Sequence, residues 1–552
     1  MAGVVSLLRK PLAGFLAFTA AFAVLAAYVF WGTWSMDFSP VMPDCPIVHP
    51  PTWIADWWRT WLTNGKFVPS DLRVFLGTPY FWQELNYAIA LYVSALALAY
   101  FLRGRGLSRL ASYGAGLTLA FCGYWCTLFS AGHLGWFLWM TYGLFPFGLL
   151  DRAVRKGKAK NWLLAGATAG WACCWQSDLW MLFTALTAAY FVFCCVRERA
   201  FPWKGALLAA ATFFLVGGAG IRNAFVSDLA SRDGQIAAGE TLPKAAADDG
   251  EKRWEFVTNW SLPTAETLEF LVPRVNGDTS CSLTLAIGSQ HHSGVRPYTG
   301  ALGRPMRATT GNYRQHSLYL GWVTCLLALV GALTGMVGRR LARASAEGKV
   351  KADSTPVFFV VAAVLCWLFS QGRYCETVYR MVYALPFGDY LRAPVKWHHL
   401  TEFCVVVLMG YGLESLASWL GKWGRWGRPA LAALVLFGAF DLARNAHLYC
   451  APVDIREARR QNCSQQMAYL RRGDFANPKV AAMVKAKRIV PLAQPAADIY
   501  LVGVLEPWGA NKEPLPPWGW AASLGALSAA ASLLVIGFSV WSPRLKVTKE
   551  ST

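Results

Sequence analysis

The chain has 552 residues, of which 55% are hydrophobic and only 15% charged, with a mean hydropathy of +0.33; that excludes an ordinary water-soluble domain. The net charge of +20 would suggest nucleic acid as a partner in a soluble protein, but no basic stripe interleaved with stacking aromatics is present. The basic residues cluster in short breaks between apolar runs close to the roughly 20 residues that cross a bilayer, so the chain reads as an all-α polytopic membrane protein that binds no nucleic acid.

The first apolar run, Leu12 to Trp31, follows Arg9 and Lys10. It exceeds the roughly 7 to 15 residues of a cleavable signal core, and Trp31 and Trp34 suit an interfacial belt, so it reads as a retained helix. With the N-terminus cytoplasmic, Asn86 to Leu102 returns to the basic "RGRGLSR". Leu110 to Ser130 exits, and Leu134 to Leu150 re-enters at "DRAVRKGKAK". Trp162 to Gln176 and Leu179 to Val196 form the next pair, closing at "RERAFPWK", and Gly205 to Gly220 exits again. Leu318 to Val337 returns to "RRLARASAEGKVK", Pro356 to Phe369 exits, and His399 to Leu416 re-enters before "GKWGRWGRP". A weaker run from Ala430 exits, and Trp518 to Val540 leads to the basic tail "RLKVTKE". That makes about twelve helices with both termini cytoplasmic, and each inside loop is basic as the charge rule requires. The Trp162 and Ala430 runs are short enough to be re-entrant.

This pattern divides the chain into an N-terminal membrane module (1–221), a polar outside segment (222–315), a second membrane module (316–446), another outside segment (447–517) and a last helix with its tail (518–552). The first outer loop, 35–83, contains "HPPTWIADWWRTWL", in which Trp53, Trp57 and Trp61 share one face. It fits either an amphipathic helix lying in the interface or a plain aromatic belt. Of 14 cysteines most fall inside spans, where small apolar packing suffices. Cys45, Cys281, Cys375, Cys450 and Cys463 fall outside, and Cys450 with Cys463 share a loop and are the favoured disulfide pair.

Ionisable groups gather at the outer ends of the spans, where a bilayer protein rarely places them without use. Asp37 and Asp44 follow the first span, and Asp56, Asp71 and Glu84 lie further along the same loop. His133 sits in "AGHLGWFLW" between spans, and Asp178 sits in the tight turn "WQSDLW". A ring nitrogen bonded to a nearby carbonyl would explain His133 without any function. Arg222 closes the seventh span, and "YALPFGDYLRAPVKWHHLTEF" brings Arg392, Lys396, His398, His399 and Glu402 together in sequence. Two cations on the outer side suit an anion such as a lipid phosphate; ion pairs with Asp389, Glu376 or Glu402 would serve equally well.

The stretch "YFLRGRGLSRLASYGAGLTLAFCGYWCTLFSAGHLGWFLWMTYGLFPFGLLDRAVRKG" resembles YfhO-type bacterial membrane proteins, in which a basic turn precedes a helix ending in Gly-His. "LPTAETLEFLVPRVNGD", "HSLYLGWVTCLLALVGAL" and "LPFGDYLRAPVKWHHLTEFCVVVLMGYGLESL" resemble later segments of that family in the same order. The resemblance implies a GT-C-like fold and a glycosyltransferase that takes a sugar from a polyprenyl-phosphate carrier. Transfer would be to a glycan, lipid or protein of the envelope, outside the bacterial cytoplasmic membrane. It also implies that Asp37 is the catalytic base or acceptor-orienting group, with Asp44 as second choice, and that His133 is the Gly-His residue and Arg392 part of an Arg-x-Pro segment; in the same layout Asp178, Arg222 and Lys396 are placed to line the substrate site with them. "SMDFSPVMPD" departs from the Asp-x-Asp found in many members of the wider fold. No cofactor follows from it, no metal ligand is assigned, and use of a divalent metal stays open. A transporter or lipid flippase is the alternative that a high helix count also fits, although the two halves show no repeat.

Overall fold

Backbone amides and carbonyls inside a bilayer have to be paired within their own segment, so long apolar runs fold as helices. The computed structural model describes residues 11–33, 38–39, 83–131, 133–175, 177–225, 249–276, 317–344, 353–386, 388–420, 426–449, 453–461, 463–496, 499–507 and 519–541. Asp37, Asp44, Asp56, Asp71, the "HPPTWIADWWRTWL" stretch and Cys45, Cys281 and Cys450 lie outside these residues.

Among the described residues, seven helices are long and apolar enough to cross a membrane. They are α1 (Pro11–Val29), α2 (Gln83–Gly104), α8 (Ser177–Glu198), α9 (Trp203–Asn223), α14 (Trp397–Leu420), α15 (Gly427–Leu448) and α18 (Trp520–Trp541). An eighth crossing is counted if α12 (Thr355–Ser370) and α13 (Glu376–Tyr383), bent by 111° at their junction, are taken as one span. The protein is thus a predominantly helical, multi-pass membrane protein.

The remaining apolar runs are built from shorter pieces. The run expected from Leu110 to Ser130 is α3 (Arg109–Phe121) and α4 (Gly123–Thr127), separated by the extended residue Cys122. The run from Leu134 to Leu150 is α5 (Leu134–Gly143) and α6 (Phe145–Lys156), with Pro146 in the first turn of α6, where its missing amide breaks no helical bond. α7 (Ala159–Cys173) follows. The run expected to begin at Leu318 starts as an extended segment, and α11 (Trp322–Ala344) begins only after Gly321, whose φ of +82° no helix accepts.

Helix contacts reflect small residues. α7 and α9 meet where a Cβ on Gly170 would lie 3.0 Å from the Gly217 amide nitrogen, and one on Gly217 2.9 Å from the Gly170 Cα. Backbones approach this closely in membranes through such residues, because lipid supplies no hydrophobic drive between helices.

The segment following α15 folds as a small sheet that the sequence reading had left without assigned structure. β3 (Cys463–Arg471) and β4 (Ile489–Ala496) flank β5 (Ile499–Pro507) in an antiparallel sheet of order β3-β5-β4, with Cys463 opposite Pro507 and Arg471 opposite Ile499. Pro491 and Pro495 fall on β4, an edge strand, where a missing amide costs no ladder bond. A shorter pairing joins β1 (Phe38–Ser39) to β2 (Val453–Asp454), tying the residues after α1 to those after α15. Cys463 points its thiol at the Gln461 carbonyl, 3.4 Å away.

Turns of the same predicted sidedness meet. On the basic face, the Asp151 carboxylate is fully buried and receives Arg105 Nη1 at 3.2 Å, Arg155 Nε at 2.9 Å and Arg197 Nη2 at 3.0 Å, with the Tyr190 hydroxyl at 3.2 Å. Arg105 also donates to Asp353 at 2.6 Å, and Asp353 accepts from the Thr355 amide at 3.0 Å and the Tyr411 hydroxyl at 2.8 Å. Arginines from three basic turns therefore converge on two carboxylates and join α2, α6, α8, α12 and α14.

Removing one partner of such a cluster leaves uncompensated charge. Asp151→Ala is expected to cost about 3–5 kcal/mol, read as a lowered melting temperature in mild detergent; a shift no larger than that of an exposed substitution contradicts the role. Burial pushes the Asp353 carboxyl up, but Arg105 and Thr355 more than reverse this, so it lies below the ordinary carboxylate range. Its contribution is therefore complete above the unfolded carboxylate pKa and is lost as pH falls through the folded value. The acid limb of the melting curve should flatten in Asp353→Asn.

Candidate functional site

The opposite face is organised by the residues that lead into α14. Ala393 adopts a left-handed φ of +63°, and its amide donates to the Val257 carbonyl at 3.0 Å while the Val395 amide donates to Trp260 at 3.2 Å. These bonds hold the turn Pro394–Lys396 against α10 (Asp249–Val257) and the residues after it. Arg392 is clamped there between aromatic faces, its guanidinium carbon 4.4 Å from the Phe256 ring and 4.6 Å from that of Trp260. Such stacking leaves the donor-bearing edges of a guanidinium as its hydrogen-bonding surface.

Lys396 forms an ion pair with Asp178, which is 2% exposed and lies in the first turn of α8. The helix N-terminus adds favourable potential for that carboxylate. The ammonium also sits 5.7 Å from the centre of the Trp136 ring, and His133 packs against the same indole at 5.8 Å. Burial, together with the nearby Lys396 charge, pushes the His133 imidazole down to about 4, so it is neutral at physiological pH.

Three of the residues singled out from sequence, His133, Asp178 and Lys396, are thus brought together around Trp136, with Arg392 four positions before Lys396. Arg222 is held in the last turn of α9, stacked 4.3 Å from the Trp520 ring of α18. The acidic partners considered for the two cations are otherwise engaged: Asp389 pairs with Arg253 at 3.1 Å, Glu376 with Arg380 at 2.7 Å, and Glu402 accepts the backbone amides of Tyr124 and Trp125. Asp178 takes the role because α8 begins on the face where α14 begins. Asp37 and Asp44, the expected catalytic acids, fall outside the described residues; Phe38, the neighbour of Asp37, pairs with Asp454.

Sequence reasoning passed over two buried acids, Glu266 and Glu269, which are 1% and 0% exposed. They lie in the short helical turn Thr264–Phe270, and Glu269 accepts the Leu318 amide at 3.3 Å. The available signal was two acids three positions apart within "TAETLEF". Among the described residues, no group of three histidine, cysteine or acidic side chains is arranged to hold a metal ion.

Chemically, the cluster offers an ammonium that an incoming anion can share with Asp178, a neutral imidazole able to donate or accept a proton, and an indole face. Compared with known proteins, the chain matches no protein-family model, no curated protein and no solved structure.

Two outcomes follow from this geometry. In a double-mutant cycle on melting, Lys396→Met and Asp178→Asn are each expected to cost about 3–5 kcal/mol, and the pair much less than their sum; strict additivity contradicts the ion pair. His133 is lowered on folding from an unfolded value of about 6.5, so the unfolded chain binds the proton first and stability falls as pH drops from about 6.5 toward about 4. His133→Gln should remove that part of the slope, and an unchanged slope contradicts an imidazole that stays neutral in the folded chain.

Proposed function

We propose that the chain is an integral-membrane glycosyltransferase of the GT-C kind, transferring a sugar from a polyprenyl-phosphate donor to an acceptor of the cell envelope. In this reading the chain crosses the bacterial cytoplasmic membrane about twelve times, counting the broken and short helices. The basic face and both termini are cytoplasmic, and the Lys396 cluster faces the opposite side. The observation that carries the proposal is the pairing of Lys396 with Asp178 beside His133 and Trp136, on the face opposite the basic turns.

The reaction has two requirements. An acceptor hydroxyl has to lose its proton as it attacks the anomeric carbon, and the departing lipid phosphate has to be met by positive charge. Asp37, placed just after α1, is the proposed base. Lys396 and Arg392 are the proposed phosphate partners: the phosphate competes with Asp178 for the ammonium, while the aromatic clamp keeps the Arg392 fork in one orientation. His133 and Trp136 form a wall, neutral at working pH, where a sugar ring can pack on the indole. Arg222, stacked on Trp520, is a further proposed contact for the carrier.

Transport is the second reading, favoured by the fully buried His398, His399 and Glu402 in a spanning helix and by the 111° bend between α12 and α13. Asp37→Asn separates the two. Transfer of labelled sugar from a polyprenyl-phosphate donor should disappear in that variant while expression and membrane insertion stay at the wild-type level. Full transfer by the variant removes Asp37 from the mechanism, and substrate flux into liposomes without transfer favours transport.

A further inference from the structure

α14 carries His398, His399 and Glu402 in its first two turns, and none has any solvent exposure. Glu402 accepts the Tyr124 amide at 2.7 Å on Oε1 and the Trp125 amide at 2.8 Å on Oε2. His398 Nε2 lies 3.5 Å from Oε1, and His399 Nδ1 lies 3.9 Å from Oε2. Among the described residues, all four imidazole nitrogens of the two histidines are buried without a hydrogen-bond partner. In folded proteins such groups are rare, and they mark ordered water, an ion or a working proton site.

The surroundings narrow the choice. Tyr124 stacks on His399 with ring centres 4.0 Å apart, and Phe270 stacks on His398 at 4.5 Å. These rings hold both imidazoles in place through their faces and leave the nitrogen edges for other partners. The charged and titratable neighbours are Cys122 and Tyr124 at the α3–α4 break, Lys396 before α14, and Glu269 next to Phe270. Lys396 is already matched by Asp178, and Glu269 accepts the Leu318 amide. The Glu402 charge is met in part by two amides, and a carboxylate this deeply buried calls for a full countercharge. An imidazolium supplies it. Of the two rings, His398 lies closer to Glu402 and is the seat that the geometry favours.

We propose that His398, His399 and Glu402 form a buried proton-binding centre, which holds a single exchangeable proton together with ordered water on the unpaired ring nitrogens. On release, the proton leaves His398 Nε2 for water, and the centre is left with a neutral imidazole and the Glu402 carboxylate. Because that carboxylate also holds the first turn of α4, loading and unloading the proton changes the pull on Tyr124 and Trp125. His399 meets Trp136 at 5.0 Å, so the change reaches the indole beneath Lys396. The proposal stands apart from the sugar-transfer reading and holds equally for a transporter.

The test is infrared difference spectroscopy of the full chain in lipid nanodiscs, with pH stepped across the imidazole range in H2O and D2O. The expected wild-type spectrum contains a D2O-sensitive imidazole ring band that His398→Gln removes, and a shift of the carboxylate stretch that Glu402→Gln removes. The centre is overturned if the wild-type spectrum lacks a D2O-sensitive imidazole ring band, or if wild type and Glu402→Gln give superimposable spectra. The wild-type measurement decides by itself should a variant fail to insert.

Discussion

A carboxylate on one helix caps the backbone of another, and much of the architecture depends on it. Glu402, inside α14, takes the amide hydrogens of Tyr124 and Trp125 at the start of α4, donors that no helical carbonyl can reach. That contact allows the chain to break at Cys122 within the membrane module. At the same break the Gly123 amide donates to the Tyr319 carbonyl at 2.9 Å, and a Cβ at Gly123 would lie 2.5 Å from that oxygen. The extended segment before α11 is therefore threaded through the core, where the Ser317 amide donates to Thr127 Oγ1 at 2.8 Å and Asn445 donates to Ser317 Oγ at 3.0 Å. Broken helices inside a bilayer are tolerated where the protein itself satisfies the freed backbone groups, and here Glu402, Thr127 and Tyr319 do so.

The two faces use charge differently. On the basic face three arginines share Asp151, and Arg105 reaches a second carboxylate on Asp353, so the cations of these turns lock helix ends together. Buried ion pairs of this kind add little net stability over apolar packing, yet losing one partner is costly; they specify one arrangement. On the opposite face Lys396 pairs with Asp178, with aromatic rings around the ammonium. An ammonium carries three donors, so an incoming anion can share Lys396 with Asp178. Arg392 stacks between two rings, which keeps its orientation fixed before any ligand arrives.

The membrane class was legible in the sequence because it rests on composition, and so were the basic turns, three of which meet at Asp151 and Asp353. His133, Asp178 and Lys396 were also legible as individuals, since each is an ionisable group where a bilayer protein can least easily carry one. Their meeting was not. Asp178 and Lys396 are joined only by the packing of α8 against α14, and no local pattern encodes a contact across 218 positions. The helix breaks at Cys122 and Leu144 escaped because hydropathy is continuous through them, and what permits the first is a remote carboxylate. The sheet around β5 escaped because Pro491 and Pro495 interrupt β4 and the charged residues lie mostly in the turns between strands.

The most direct test of the central claim is to incubate the purified chain in nanodiscs with a polyprenyl-phosphate donor carrying a labelled sugar, together with an envelope extract as acceptor. The label should move from the lipid carrier to acceptor material in the wild type, and far more slowly when Lys396 is replaced by Gln. Label that stays on its carrier under every condition, while the intact lipid changes leaflet, would contradict a transferase.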